Sequence, residues 1–230
     1  MIDTTLITGL KNLDRKTVVG FWDSVLGQRK RGEVVVVDYG SSSENLEWER
    51  DLFQGENVKF IEVTRDTDTW REGRVYNVGI RHASSAYVVV VTADTILSDN
   101  FITECDAALK EKQKAMILCL RTNVADGVEV GYAPRCFFGN CIGASLEWFT
   151  KVRGYDEVYH GWGRVDEDLV YRALVDGLEW VWMENRVKIL HSIHAPRTDD
   201  YQGNDGYYHE QESRLSAGTI VRNLNGWGEL

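Results

Sequence analysis

The chain has 230 residues, 43% hydrophobic and 27% charged, which suits one large α/β domain with a real core and excludes a disordered chain. Its net charge of -10 excludes a broad nucleic-acid surface, which needs clustered Lys and Arg. That charge still allows a local basic pocket, and it fits a substrate that arrives with a divalent cation.

In chain order, Thr4 to Thr8 and Val34 to Val37 read as short strands, the second an unbroken β-branched run of the kind buried on both faces of a parallel sheet. Between them, Val18, Val19, Phe21, Trp22, Val25 and Leu26 recur at helical spacing behind a capping Asp14, which makes a βαβ opening. The loop after the second strand belongs at the carboxyl edge of the sheet, where doubly wound folds bind ligands. Asp38 there is either an acceptor for a nucleotide or a turn-former before Gly40. A helix over 44–54, a strand over 58–63 and a polar loop over 65–74 follow. Then comes a helix over 75–82 whose Gly79 calls for close packing or ligand approach.

Tyr87 to Val91 is the most hydrophobic strand, and it delivers Thr92, Ala93 and Asp94. A carboxylate at the end of a central strand is well placed to meet a metal-bound diphosphate. A helix capped by Asp99, a strand over 115–121, a loop over 122–132 and the glycine-containing stretch FFGNCIGAS precede a helix over 146–152.

Residues 160–172 read HGWGRVDEDLVYR. Glycines let the backbone approach a ligand closely, and the indole of Trp162 between them can stack on a sugar ring. The acids that follow open a helix, where the positive end favours their charged form, so a carboxylate here can take a proton from an incoming hydroxyl. The plain alternative is an acidic cap on a surface helix. Strands over 178–183 and 187–190 close the reading and bring His191 and His194, three apart, to a strand end where they can meet one cation.

From residue 195 the chain turns polar, and a mobile tail or lid is expected, with a short helix over 209–217. The four cysteines (Cys105, Cys119, Cys136, Cys141) form no CxxC pair and are expected reduced and buried. The opening MIDTTLITGL has no basic region ahead of a long apolar run, and no stretch approaches the roughly 20 apolar residues of a membrane span. A soluble, cytoplasmic protein is expected.

Taken together, Asp38, Asn77-x-Gly79, Asp94, FFGNCIGAS, the Gly-Tyr-Asp-Glu turn at 154–157, GWG followed by acids, and a late His resemble a GT-A glycosyltransferase of the family-two type. The second half is similar to the galactosyltransferase and N-acetylgalactosaminyltransferase branch. The resemblance covers about residues 4–194. It implies a Rossmann-like, mixed and mainly parallel sheet flanked by helices. It implies a single domain over 1–194, with a nucleotide-binding half at about 1–98 and an acceptor half at about 99–194.

It further implies a nucleotide-sugar donor, usually a UDP-sugar, a glycan or other hydroxyl acceptor, Mn²⁺ or Mg²⁺, and an inverting displacement. By residue, it implies Asp166 as general base and Asp94 with His191 or His194 as metal ligands. Asp38, Arg74 and Asn77 would lie toward the nucleotide and its diphosphate, and Gly143, Trp162, Gly163 and Asp168 toward the sugar or acceptor. The chain departs from the pattern twice: Thr92 stands where the DxD motif has its first acid, and Val165 where the branch has Glu. A degenerate nucleotide- or glycan-binding module is the alternative. A nucleotidyltransferase is disfavoured because residues 4–20 hold no Gly-rich basic phosphate loop.

Overall fold

The computed structural model describes residues 1–65, 67–125, 128–132, 141–161, 163–192, 201–215 and 219–230. Its strands are β1 (Thr4–Leu10), β2 (Val34–Tyr39), β3 (Val58–Val63), β4 (Tyr87–Val91), β5 (Thr95–Leu97), β6 (Ala115–Leu118), β7 (Arg121–Ala125), β8 (Val128–Tyr132), β9 (Cys141–Ser145), β10 (Glu179–Trp182) and β11 (Ile189–Ser192). Its helices are α1 (Arg15–Leu26), α2 (Ser43–Leu52), α3 (Glu72–His82), α4 (Phe101–Glu111), α5 (Leu146–Val152), α6 (Val165–Val175) and α7 (Tyr201–Leu215).

The apolar runs of β1, β2 and β4 take the middle of a sheet ordered β10-β6-β9-β4-β1-β2-β3. All its pairings are parallel except those of β9, which runs antiparallel to both β4 and β6. Alternation along each strand splits the core in two. Ile7, Val35, Val37, Val88 and Val90 pack against α3, α5 and α6 on one face. Leu6, Val34, Val36, Val89 and Val91 pack against α1 and α4 on the other. This is the mixed, mainly parallel α/β architecture that the sequence implies.

A second sheet, β5-β11-β7-β8, stands at the carboxyl edge of the first. It contains the main departures from the sequence reading. The expected strand over 115–121 ends at Leu118, and residues 122–132, read as loop, supply β7 and β8. Their mixed polar composition hides them, although Asp126-Gly127 between them is a dipeptide that favours tight hairpins.

The C-terminal region, expected as a mobile tail, is anchored where it is described. α7 packs on α6, and Arg222 is buried between Asp156 and Asp168, 3.2 and 3.0 Å away. Cys105, Cys119 and Cys141 are free thiols buried together, while Cys136 lies outside the described residues. No helix among the described residues is long and apolar enough to cross a membrane.

Gly79 serves packing. A Cβ there would lie 2.4 Å from Cγ2 of the fully buried Ile7, so α3 rests directly on β1. Alanine favours a helix over glycine by about 1 kcal/mol, but overpacking of this kind costs about 1–3 kcal/mol. Gly79→Ala is therefore expected to lower the midpoint of urea unfolding; an unchanged or raised midpoint would show that α3 has room to move.

Candidate functional site

The site is built at the carboxyl ends of β4 and β1, where the sheet edge meets β5, β11 and the start of α6. Asp94 leaves β4 and immediately precedes β5. Because β5 pairs antiparallel with β11, Thr95 lies opposite His191, and Asp94 is carried next to that histidine. Asp94 Oδ2 and His191 Nε2 are 3.5 Å apart, the carboxylate partly exposed and the imidazole nearly buried. One oxygen and one nitrogen donor so placed fit part of a divalent cation's coordination shell, with the rest left to other ligands. Among the described residues no group of three His, Cys, Asp or Glu forms a fuller cage. His194 lies outside the described residues.

The same face of the small sheet carries a residue that the sequence reading did not single out. Arg121 opens β7 opposite Ile189 of β11, and Asn123 is opposite His191. Arg121, Asn123 and His191 therefore share one face. The Arg121 guanidinium is half-buried, which pulls its pKa down, while the Asp94 charge pushes it back up. Its sequence signal was a lone arginine ending the apolar run MILCL, at a sheet edge where ligands bind.

Asp166 lies in the first turn of α6. It lines a narrow crevice with Tyr76, Val90, Val91, Thr92, Cys141, Ile142 and Tyr155. Thr92 in that crevice is two residues from Asp94, so the prospective base and the prospective metal ligand share the end of β4. The positive end of a helix favours a charged carboxylate by only about 0.3–1 kcal/mol. Burial acts the opposite way and prevails: together with the charges of Glu72 and Glu167 it raises the Asp166 pKa well above the usual carboxylate range. Glu72 accepts a hydrogen bond from the Tyr76 hydroxyl at 3.0 Å.

The loop entering α6 is held in unusual backbone. Gly161, Gly163 and Arg164 all have positive φ, of 67°, 101° and 67°. α7 fastens this loop. The Asn204 side-chain amide donates to the carbonyls of His160 and Gly163 at 2.8 and 3.1 Å, and Arg164 is ion-paired to Asp205. Trp162 lies outside the described residues.

Three residues expected at the ligand are buried by contacts within the chain. Asp168 is wholly buried: Arg172 Nε donates to one of its oxygens at 2.7 Å and Arg222 Nη2 to the other at 3.0 Å, so it ties α6 to the C-terminal segment. Asn77 is also wholly buried. Its amide donates to the Tyr155 carbonyl and to Glu157 and accepts from the Tyr155 N–H, which locks α3 to the turn before the site loop. Gly143 is buried in the middle of β9, where a Cβ would lie 2.8 Å from both Ile117 and Val89, so it serves the packing of the sheet.

At the β2 end, Asp38 is 1% exposed and accepts from the Ser41 N–H at 3.2 Å, so it holds its own turn. Glu49 of α2 is buried beside it, and burial plus the Asp38 charge push Glu49 up to about 8. Outside the turn, Lys11 and Arg74 each approach the Tyr39 ring at 5.9 Å, forming a basic rim on this edge. Arg74 also donates to the Glu229 carbonyl at 3.5 Å.

A family model described as Glycosyl transferase family 2 matches residues 7–160. A search of curated proteins finds no match. Among solved structures, S. aureus TarS 1-349 in complex with UDP-GlcNAc is similar with a TM-score of 0.72 at 14% identity, over 96% of this chain and 67% of that one. GalNAc-T7 with UDP, GalNAc and Mn²⁺ is similar with a TM-score of 0.70 at 13% identity, over 94% of this chain and 51% of that one. S. aureus TarS 1-349 without a named ligand gives a TM-score of 0.67 at 15% identity, over 82% of this chain and 60% of that one. The chain thus spans about half to two thirds of these structures, and at such identities the likeness is one of fold.

Two stability tests follow from the buried acids. Removing one partner of a buried ion pair costs about 3–5 kcal/mol because the other charge stays buried, so Asp168→Asn is expected to lose about that much in denaturant unfolding; a loss below about 1 kcal/mol would show the arginines re-paired. Glu49 holds its proton more tightly folded than unfolded, so its contribution is full below about 4.5 and is lost as pH rises toward about 8. Glu49→Gln should accordingly match the wild type in melting temperature at acid pH and exceed it at pH above 8. Parallel melting curves across that range would remove the pairing from the account.

Proposed function

Since the chain belongs to glycosyl transferase family 2, we propose that it is an inverting enzyme moving a sugar from a nucleotide-sugar donor, read as a UDP-sugar, to a hydroxyl of a glycan or other acceptor. UDP enters this reading through TarS with UDP-GlcNAc and GalNAc-T7 with UDP, GalNAc and Mn²⁺. The observation that carries it is the meeting of Asp166 and Thr92 in one crevice at the end of the strand that delivers Asp94.

In the proposed reaction, Asp166 takes the proton of the acceptor hydroxyl. The oxygen forms a bond to the anomeric carbon as the bond from that carbon to the diphosphate breaks, and the nucleoside diphosphate leaves with the bonding electrons. Asp94 and His191 would hold Mn²⁺ or Mg²⁺, with His194 the other candidate ligand. A bound divalent cation supplies charge neutralisation to the departing diphosphate. Arg74 and the Asp38 turn lie toward the nucleotide, and Gly163 with Trp162 toward the sugar. The half at about 1–98 serves the donor and the half at about 99–194 the acceptor, with residues 195–230 as the cover and brace of the acceptor side.

One observation favours a second reading, a module that binds without turnover. Val165, in place of the branch's Glu, is buried in the core and presents nothing to a sugar.

Turnover of a panel of nucleotide-sugars separates the two. General-base help is worth about 10²- to 10⁴-fold, so Asp166→Asn should cut kcat by that range while UDP affinity holds. The base must be unprotonated, and its pKa is raised. The wild-type rate should therefore climb with pH above the ordinary carboxylate range, and the mutant rate should not. Near-normal turnover by Asp166→Asn would reassign the base; tight UDP binding with no turnover of any donor would favour the binding module.

A further inference from the structure

We infer that Arg121 is a second cationic contact for the donor diphosphate, supplying charge neutralisation that the sequence Thr92-Ala93-Asp94 no longer brings through a pair of acids. The inference rests on the nucleotide-sugar reading of the site and adds to it a residue outside the motif.

Placement comes first. Arg121 and His191 share one face of the small sheet, since Arg121 is opposite Ile189 and His191 is two residues further along β11. Asp94 is 3.5 Å from His191 and close enough to Arg121 for its charge to act on the guanidinium. The three groups thus surround the carboxyl end of β4, where a donor diphosphate would lie.

The chemistry of the face comes second. Arg121 is half-buried, and its Nε has no hydrogen-bond partner among the described residues. The buried amide oxygen of Asn123, next on the same face, is likewise without one among the described residues. Buried polar atoms are normally satisfied, so this face is built for polar groups that arrive from outside the chain. A guanidinium is the side chain best matched to phosphate oxygens, because its planar fork gives parallel charged hydrogen bonds.

Charge balance comes third. A motif with two acids would hold a divalent cation firmly. Here one carboxylate, Asp94, faces one guanidinium, so the attraction for a cation is weaker and the attraction for an anion is stronger. Arg121 interacts with Asp94 in the free protein and turns its remaining donors to the diphosphate when the donor enters. The dependence of donor binding on metal is correspondingly reduced.

The test measures binding to the full chain, with UDP by calorimetry and uridine by ligand-observed NMR, each in EDTA and in Mn²⁺. The wild type is expected to keep UDP affinity in EDTA within about tenfold of that in Mn²⁺. Arg121→Gln should weaken UDP in EDTA by about ten- to a hundredfold, the usual worth of a charged hydrogen bond. It should leave uridine unchanged, and Arg121→Lys should recover part of the loss. Equal UDP affinity in wild type and Arg121→Gln overturns the assignment, as does an equal loss for UDP and uridine, since a phosphate contact does not touch the nucleoside. A wild type that binds no UDP with or without Mn²⁺ sinks the nucleotide-sugar reading itself.

Discussion

Two buried arginines hold the second half of this molecule in place. Arg172 and Arg222 grip opposite oxygens of Asp168, Arg222 reaches on to Asp156, and Arg172 donates to the carbonyls of Gly154 and Ile220. Four charges buried together are expensive unless each is paired and its remaining polar atoms are satisfied. Here α6, the turn after α5 and the C-terminal segment must all be present for that to happen. The network lies directly behind the first turn of α6, and that turn carries Asp166. The position of the prospective base is therefore set by a buried network of charges within the chain.

The front of the same helix is held differently. Left-handed backbone at Gly161, Gly163 and Arg164 bends the chain sharply into α6. Glycine accepts that conformation readily and arginine does not. The arginine is kept there by the pairing of its side chain with Asp205 and by the grip of Asn204 on the loop carbonyls. α7 thus braces from outside a loop that the Arg–Asp network braces from within.

The electrostatics of the sheet edge follow from the crowding of acids there. Burial and the charges of Glu72 and Glu167 raise the Asp166 pKa, so its proton is held tightly. Asp94 stands 3.5 Å from His191, and its charge acts on the Arg121 guanidinium. Carboxylates with unlike surroundings, far apart in the chain and brought to one sheet edge, can take unlike roles, one to hold charge and one to move a proton.

The sequence by itself determined the central strands and their covering helices, because alternation and helical spacing are local patterns that burial imposes on each element separately. It also placed Asp94 at a strand end and Asp166 at a helix start, since both positions are fixed by their own segments. It could not tell which polar residues face inward. Asn77, Asp168 and Asp38 read as ligand contacts, yet the structure closes all three off from solvent. Asp168 is satisfied by an arginine 54 residues away and Asn77 by a turn 78 residues away. Only the tertiary structure decided those pairings, and only it brought Arg121 beside Asp94. A charge finds its partner through space, and the hydrophobic pattern that folds the chain carries no record of that choice.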